Sequence, residues 1–172
     1  MDIFVRFSFL IFEFLLQIQM EILLKPIAIV INNRKNLSDD YWGNVVSEII
    51  LDESIPTESL IGIEEFSHIE IIFYFHQAQD QVKFSRHPRG NKNLPETGIF
   101  AQRAKDRPNR LGVTIARLIK REGRILTVDH FDGMDGTPVI DIKPVMKTFL
   151  VNKNEVTEPR WVKAMLTNYW KE

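Results

Sequence analysis

From Ile22 onward the chain alternates short apolar, β-branched or aromatic runs with clusters of turn-forming residues. Ile22–Ile31 reads as a buried strand, followed by a polar loop marked by Asn32-Asn33 and Ser38-Asp39-Asp40. Val45–Leu51 reads as a second strand, and Pro56-Thr57-Glu58 starts a helical turn with Thr57 as its N-cap. His68–Phe75 (HIEIIFYF) has the composition of a core strand. Gln77–Glu96 is polar and aperiodic, and loops of that length inside a compact domain tend to carry function. A short strand at Thr97–Gln102 and a basic turn at Arg103–Arg110 lead into a hairpin. Its arms are Gly112–Arg121 and Arg124–His130, closed at Glu122-Gly123. After a turn at Asp132–Thr137, Pro138–Ile142 forms another strand. The period then changes. Trp161, Met165 and Tyr169 recur four apart beside Val162, Leu166 and Trp170, which predicts an amphipathic helix with Pro159 in its first turn. Short strands separated by turns predict a mainly β fold, an antiparallel barrel or sandwich with short helices and a C-terminal amphipathic helix.

The first residues break the pattern. Ile3–Leu24 is apolar enough to raise a membrane span, but Arg6, Glu13 and Glu21 interrupt it, and charge is costly inside a bilayer. Met20 opens a segment that runs straight into the first strand. The expected organisation is therefore an apolar extension over residues 1–19, foreign to the core fold, followed by a single domain over 20–172, with a membrane location disfavoured.

Composition narrows the chemistry. With no cysteine, the chain has neither a disulfide framework nor a thiolate metal site. His68, His76, His87 and His130 show no zinc-binding spacing, so no metal is expected. The Rossmann glycine fingerprint, the Walker A loop and the G-x-S-x-G elbow are all missing, which excludes the common nucleotide enzymes and hydrolases. Net charge is only −1, yet Lys83–Arg124 holds 12 Lys/Arg against 3 Asp/Glu. A basic middle in an acidic chain attracts polyanions despite the neutral total.

Three stretches carry candidate chemistry. In GIFAQRAKDRPNRLG (98–112), Arg103, Lys105, Arg107 and Arg110 crowd around the stiff Pro108, and arginine forks suit carboxylates and phosphates. Asn109 adds a hydrogen-bonding amide. In FDGMDGTPVIDIKP (131–144), Gly133 and Gly136 allow tight turns whose free amides could cradle a polar ligand, while Asp132 or Asp135 could receive an amine or hydroxyl. The plain alternative is a hairpin turn. Third, Phe75-His76-Gln77 ends an apolar strand, where histidine is more often structural than catalytic.

Together the segments EEFSHIEIIFYFHQ (64–77), GIFAQRAKDRPNRLGVTIARL (98–118) and DGMDGTPVIDIKP (132–144) resemble the TsaA-like (TrmO-type) family of tRNA methyltransferases in residues, order and spacing, from about residue 22 to 150. The resemblance implies a small β-barrel, S-adenosylmethionine as cofactor, a cytoplasmic homodimer, and N6 methylation of threonylcarbamoyladenosine in tRNA. Carried over by position, it assigns cofactor binding to His76, Gln77, Arg103, Asp132, Gly133, Met134, Asp135, Gly136 and Thr137. Asp132, Asp135 and His76 remain equal candidates for the general base that a poorly nucleophilic N6 requires. Tyr41 and Trp42 are candidates for base stacking, and Arg107, Asn109 and Arg110 for RNA contact. The chain departs from the family pattern at Ala101-Gln102, where Ala-Thr is usual, and at Pro108-Asn109-Arg110-Leu111-Gly112, where Pro-Asn-Pro-Ile-Gly is usual. Asp39-Asp40-Tyr41-Trp42-Gly43 stands in place of an Arg-Gln-Pro segment, and the sequence shows no counterpart of the further C-terminal domain of many members. The competing readings are a cofactor-binding sensor, a methyltransferase for a small molecule, and a plain nucleic-acid-binding barrel.

Overall fold

A computed structural model describes residues 21–36 and 38–171; the apolar extension expected over residues 1–19 lies outside them. Six strands close into an antiparallel barrel. They are β1 (Ala28–Ile31), β2 (Ser47–Leu51), β3 (His68–Tyr74), β6 (Leu111–Glu122), β7 (Ile125–Asp129) and β8 (Pro138–Pro144). Around the barrel the order is β1-β2-β7-β6-β3-β8, and Ala28 opposite Val139 closes the ring. β4 (Ser85–Arg86) and β5 (Thr97–Gly98) make a separate two-stranded ribbon within the long polar segment.

Burial along β1, β2 and β3 alternates with period two, so every second side chain enters the barrel. Val30, Ile49, Ile69, Ile71, Phe73, Ala116, Leu126, Val128, Phe131 and Val139 form the interior. Phe73 is its centre: its ring meets Phe75 and Phe131 edge to face, each at 5.2 Å. Gly112 lies opposite Phe73 in the β3–β6 register, and a Cβ there would come within 2.4 Å of the Phe73 ring, so the neighbouring strand must be bare at that point.

The expected barrel is present, and the differences lie at element ends. The first strand begins at Ala28 instead of Ile22; Ile22, Leu23 and Leu24 are exposed, and Pro26 has no N–H to extend the ladder. The second starts at Ser47, two residues later than expected. Thr57 begins a 3-10 turn but does not cap it; Pro56 precedes it and no side chain bonds to the free amides. The strand expected over Thr97–Gln102 stops at Gly98 and turns into a 3-10 segment, Ile99–Ala101. The β6–β7 hairpin closes through Gly123-Arg124, with Gly123 at φ 59, the left-handed geometry a two-residue loop needs at its first position.

The C-terminal helix is also shorter than its periodicity predicts. α1 covers only Arg160–Met165. Beyond it the carbonyls of Asn168, Tyr169 and Lys171 accept hydrogen bonds from the N–H groups of Tyr41, Trp42 and Gly43, at 3.0, 2.9 and 3.3 Å. After Met165 the chain continues as turns, and this non-helical tail is the segment docked on the Tyr41–Gly43 loop. Among the described residues no helix is long and apolar enough to cross a membrane.

Phe73→Ala is expected to lower unfolding free energy by about 3–5 kcal/mol, because it removes the ring on which two others pack. Urea unfolding of the purified variant measures this; a loss below about 1 kcal/mol would mean that Phe73 is not the keystone of the core.

Candidate functional site

The site grows from one turn. After β7 the chain leaves the barrel at His130 (φ 53), drops the Phe131 ring into the core, and runs through Asp132–Thr137 before entering β8. A Cβ on Gly133 would lie 2.3 Å from the Phe131 ring, and Gly136 sits at φ 74, so both positions require glycine. The segment after β1 fixes the rest. Asn32 donates its backbone N–H to Asp135 Oδ1 (3.0 Å) and its side-chain amide to the Gly133 carbonyl (2.9 Å) and Ser47 Oγ (2.8 Å). The N–H groups of Asp135 and Gly136 pair with the carbonyls of Arg34 (3.0 Å) and Val30 (2.8 Å).

Asp135 is therefore spent on the turn. Its carboxyl lies below the ordinary 3.8 because it accepts the Asn32 N–H and, next, the Lys35 ammonium at 3.1 Å. Asp132, at the other end of the turn, accepts hydrogen bonds from the Thr114 hydroxyl on one oxygen and the Tyr169 hydroxyl on the other. Burial, reinforced by the Asp132 charge, raises Tyr169 well above the usual phenol value, so Tyr169 stays a donor. The positive charges of Arg103 and Arg89 oppose that rise. The Arg89 guanidinium lies 5.7 Å from the Tyr169 ring centre.

Arg103 is exposed and donates one guanidinium N–H to the Val113 carbonyl, next to Thr114. His76 follows β3; its Nδ1 is 3.5 Å from Thr137 Oγ1, and its Nε2 is 3.8 Å from where a side chain on Gly136 would begin. Partial burial lowers its pKa from 6.5, so at neutral pH the imidazole is uncharged and can accept a proton. Gln77 is exposed on the same turn. The Phe75 N–H donates to the Arg110 carbonyl at 2.8 Å, which ties the basic loop to the His76 end of β3. His76, Arg103 and Asp132 thus gather around one turn, with Asp135 braced on its outer side.

Several sequence candidates take other places. Trp42 is 5% exposed, and the Arg34 guanidinium covers its ring at 4.6 Å, so it packs against protein and is not presented for stacking on a base. Tyr41, at φ 65, is 50% exposed and keeps a free face. Arg110 turns to Asp80 (3.1 Å), while Arg107 is half-buried and Asn109 exposed on the same loop. At the first departure from the family pattern, the Gln102 amide donates to the Arg86 and Thr97 carbonyls (2.8 and 2.9 Å), stitching the β4–β5 ribbon to the basic loop. Sequence reasoning missed Asn32, Arg89, Thr114 and Tyr169. Thr114, a polar residue on a strand face that enters the barrel, was detectable; Tyr169 was hidden by its helical spacing. Among the described residues no group of three His, Asp or Glu could hold a metal ion.

The fold is a closed antiparallel barrel that gathers a glycine-bearing turn, a neutral imidazole and a basic loop at one rim. The model of the tRNA-methyltransferase O N-terminal domain matches residues 39–149, which include β2 to β8, His76, the basic loop and the glycine-bearing turn but not β1, and the chain belongs to that family. A probable S-adenosyl-L-methionine-binding protein of Methanothermobacter thermautotrophicus is 37% identical over 130 residues, 73% of this chain and 90% of its own length. The human tRNA (adenine(37)-N6)-methyltransferase is 38% identical over 104 residues, 60% of this chain and 23% of its own length. The crystal structure of TrmO from Pseudomonas aeruginosa superposes with a TM-score of 0.65 at 27% identity, covering 83% of this chain and 62% of that one. The chain thus spans less than a quarter of the human relative and less than two thirds of the solved structure.

Asp135 contributes stability that is complete above its unfolded pKa and is lost as pH falls through its lower folded value. Asp135→Asn should therefore unfold at lower urea than wild type near pH 7, with the gap narrowing below about pH 4 as acid neutralises the wild-type carboxyl. A gap that stays constant down to about pH 2 would mean that the Asn32–Asp135–Lys35 cluster does not brace the turn.

Proposed function

We propose that this protein transfers a methyl group from S-adenosylmethionine to N6 of adenine 37 in tRNA, with the threonylcarbamoyl-modified base as the preferred form. The observation that carries this reading is that the family match runs through the whole rim that gathers His76, Arg103 and the Asp132–Thr137 turn. The names of the human and rodent relatives supply the reaction.

The rim suits the cofactor in shape and donor set. Gly133 and Gly136 leave the turn bare, so its backbone can be approached closely. Arg103 spends one donor on Val113 and keeps the rest of its fork for a carboxylate. His76, Gln77, Arg103 and the turn from Asp132 through Gly133, Met134, Asp135 and Gly136 to Thr137 would hold it. Bound there, S-adenosylmethionine supplies an activated methyl. The chain's own work is positioning and proton handling. N6 of adenine has a delocalised lone pair and gains nucleophilicity as its proton leaves. Of the three candidate bases, Asp135 is committed to Asn32 and Lys35. Asp132 presents a carboxylate held by Thr114 and Tyr169, and His76 offers a neutral imidazole. Lys105, Arg107 and the neighbouring basic residues would meet RNA phosphates.

The reading includes a homodimer working in the cytoplasm, where its tRNA would be met. Ile115 and Ile119, half exposed on the outer side of β6, are surface that a second copy could cover. The name of the archaeal relative supports a second reading, a cofactor-binding protein without methyl transfer.

Labelled S-adenosylmethionine and bulk tRNA, followed by nucleoside analysis, should yield N6-methylated adenine nucleoside; tight cofactor binding with unlabelled tRNA favours the second reading. Arg103→Ala and Asp132→Ala should each lower transfer about 10²-fold while moving the urea midpoint little. Wild-type rates should fall steeply between about 50 and 200 mM salt if phosphates carry the affinity, and a flat response would point to a small-molecule substrate.

A further inference from the structure

We propose that the space bounded by Asp132, Arg89 and Arg103 is the subsite for the aromatic base of the RNA, and that Tyr169 of the C-terminal tail fills it as an internal stand-in when no RNA is bound. This inference rests on the methyltransferase reading and assigns a place to its substrate.

Tyr169 makes the contacts an adenine would make. Its flat ring lies 5.7 Å from the Arg89 guanidinium, its edge donor goes to Asp132, and Arg103 bonds the Val113 carbonyl beside Thr114, the other donor to Asp132. An adenine offers the same combination, a π-face for a guanidinium and an N6–H donor at the edge. Asp132 is the group expected to receive that donor: Oδ1 takes the Thr114 hydroxyl, and Oδ2 faces the phenol that the base would displace.

The tail is built to leave. It follows a six-residue helix that buries no side chain. Besides the half-buried Tyr169 and its bond to Asp132, three backbone hydrogen bonds to Tyr41, Trp42 and Gly43 hold it, and Trp170 is 41% exposed beside His130. Segments with so little buried apolar surface open at low free-energy cost. The groove nevertheless fits the tail closely. A Cβ on Gly43 would lie 2.4 Å from the Trp170 carbonyl oxygen, so only glycine lets the tail seat fully. Occupation by Tyr169 then competes with the base, and apparent RNA affinity is reduced by the fraction of protein in the closed form.

Two substitutions release the tail by different routes. Tyr169→Ala removes the ring, and Gly43→Ala blocks the tail's seat without touching Asp132, Arg89, Arg103 or Tyr169. A synthetic anticodon stem-loop RNA, titrated by fluorescence anisotropy, should bind both variants about three- to tenfold more tightly than wild type. In wild type, the Tyr41 and Trp42 amides, protected by the tail's carbonyls, should exchange faster once the RNA is bound. Binding no tighter in both variants, or unchanged amide protection in the complex, overturns the proposal. An adenine ring could also arrive on the cofactor. Calorimetry with S-adenosylmethionine separates the two: tighter cofactor binding in the variants with unchanged RNA affinity assigns the place to the adenosyl group and overturns the RNA assignment. RNA bound by none of the three proteins removes this proposal together with the tRNA reading. RNA methylated by all three without any effect of the tail removes only the stand-in.

Discussion

The Asn32 side chain and backbone hold the Asp132–Thr137 turn against the ends of β1 and β2. One residue, just past the end of β1, donates to the carboxylate of Asp135, the carbonyl of Gly133 and the hydroxyl of Ser47. These partners lie about a hundred residues away along the chain and on the neighbouring strand, so the bonds tie the ends of β1, β2 and the turn before β8 together. The Asp132–Thr137 turn, bare of side chains at Gly133 and Gly136, is braced by donors from outside it. Without that bracing the glycines would give the turn freedom instead of shape.

Asp132 and Asp135 show how environment separates two identical side chains. Each is followed by glycine or precedes it in the same short turn, and the sequence treats them as equivalent. In the fold, Asp135 faces a backbone N–H and a lysine and becomes part of the scaffold, whereas Asp132 faces a threonine and a tyrosine hydroxyl at the rim. The difference arises from what the barrel brings to each end of the turn and from nothing local.

Much of the barrel was legible because its signals are local. The alternation of β3, the Glu122-Gly123 break between β6 and β7, and the glycines of the Asp132–Thr137 turn are written in adjacent residues. What could not be read depends on distant partners. The helical spacing of Trp161, Met165 and Tyr169 is real, yet the helix ends at Met165 and the residues beyond it dock on the distant N–H groups of Tyr41, Trp42 and Gly43. Trp42 reads as a surface stacking residue in a polar loop, but Arg34 covers it. Of the site, His76, Arg103 and the turn were marked by their motifs, while Arg89, Thr114 and Tyr169 acquire their roles only through contacts across the chain.

β6 has a consequence for the molecule as a whole. Its twelve residues run from the Arg103–Thr114 neighbourhood to the hairpin at Gly123. At that far end Arg121 donates to the carbonyls of Thr57 and Leu60, and Arg124 to those of Leu51 and Asp52. Arginine there serves as cement for exposed main-chain oxygens, while at the opposite rim arginine is left with donors to spare. The same side chain thus braces the base of the barrel and keeps free donors at its mouth. Variation in loop length can be absorbed at the mouth, whereas at the base it would strip main-chain oxygens of their partners and loosen the staves themselves.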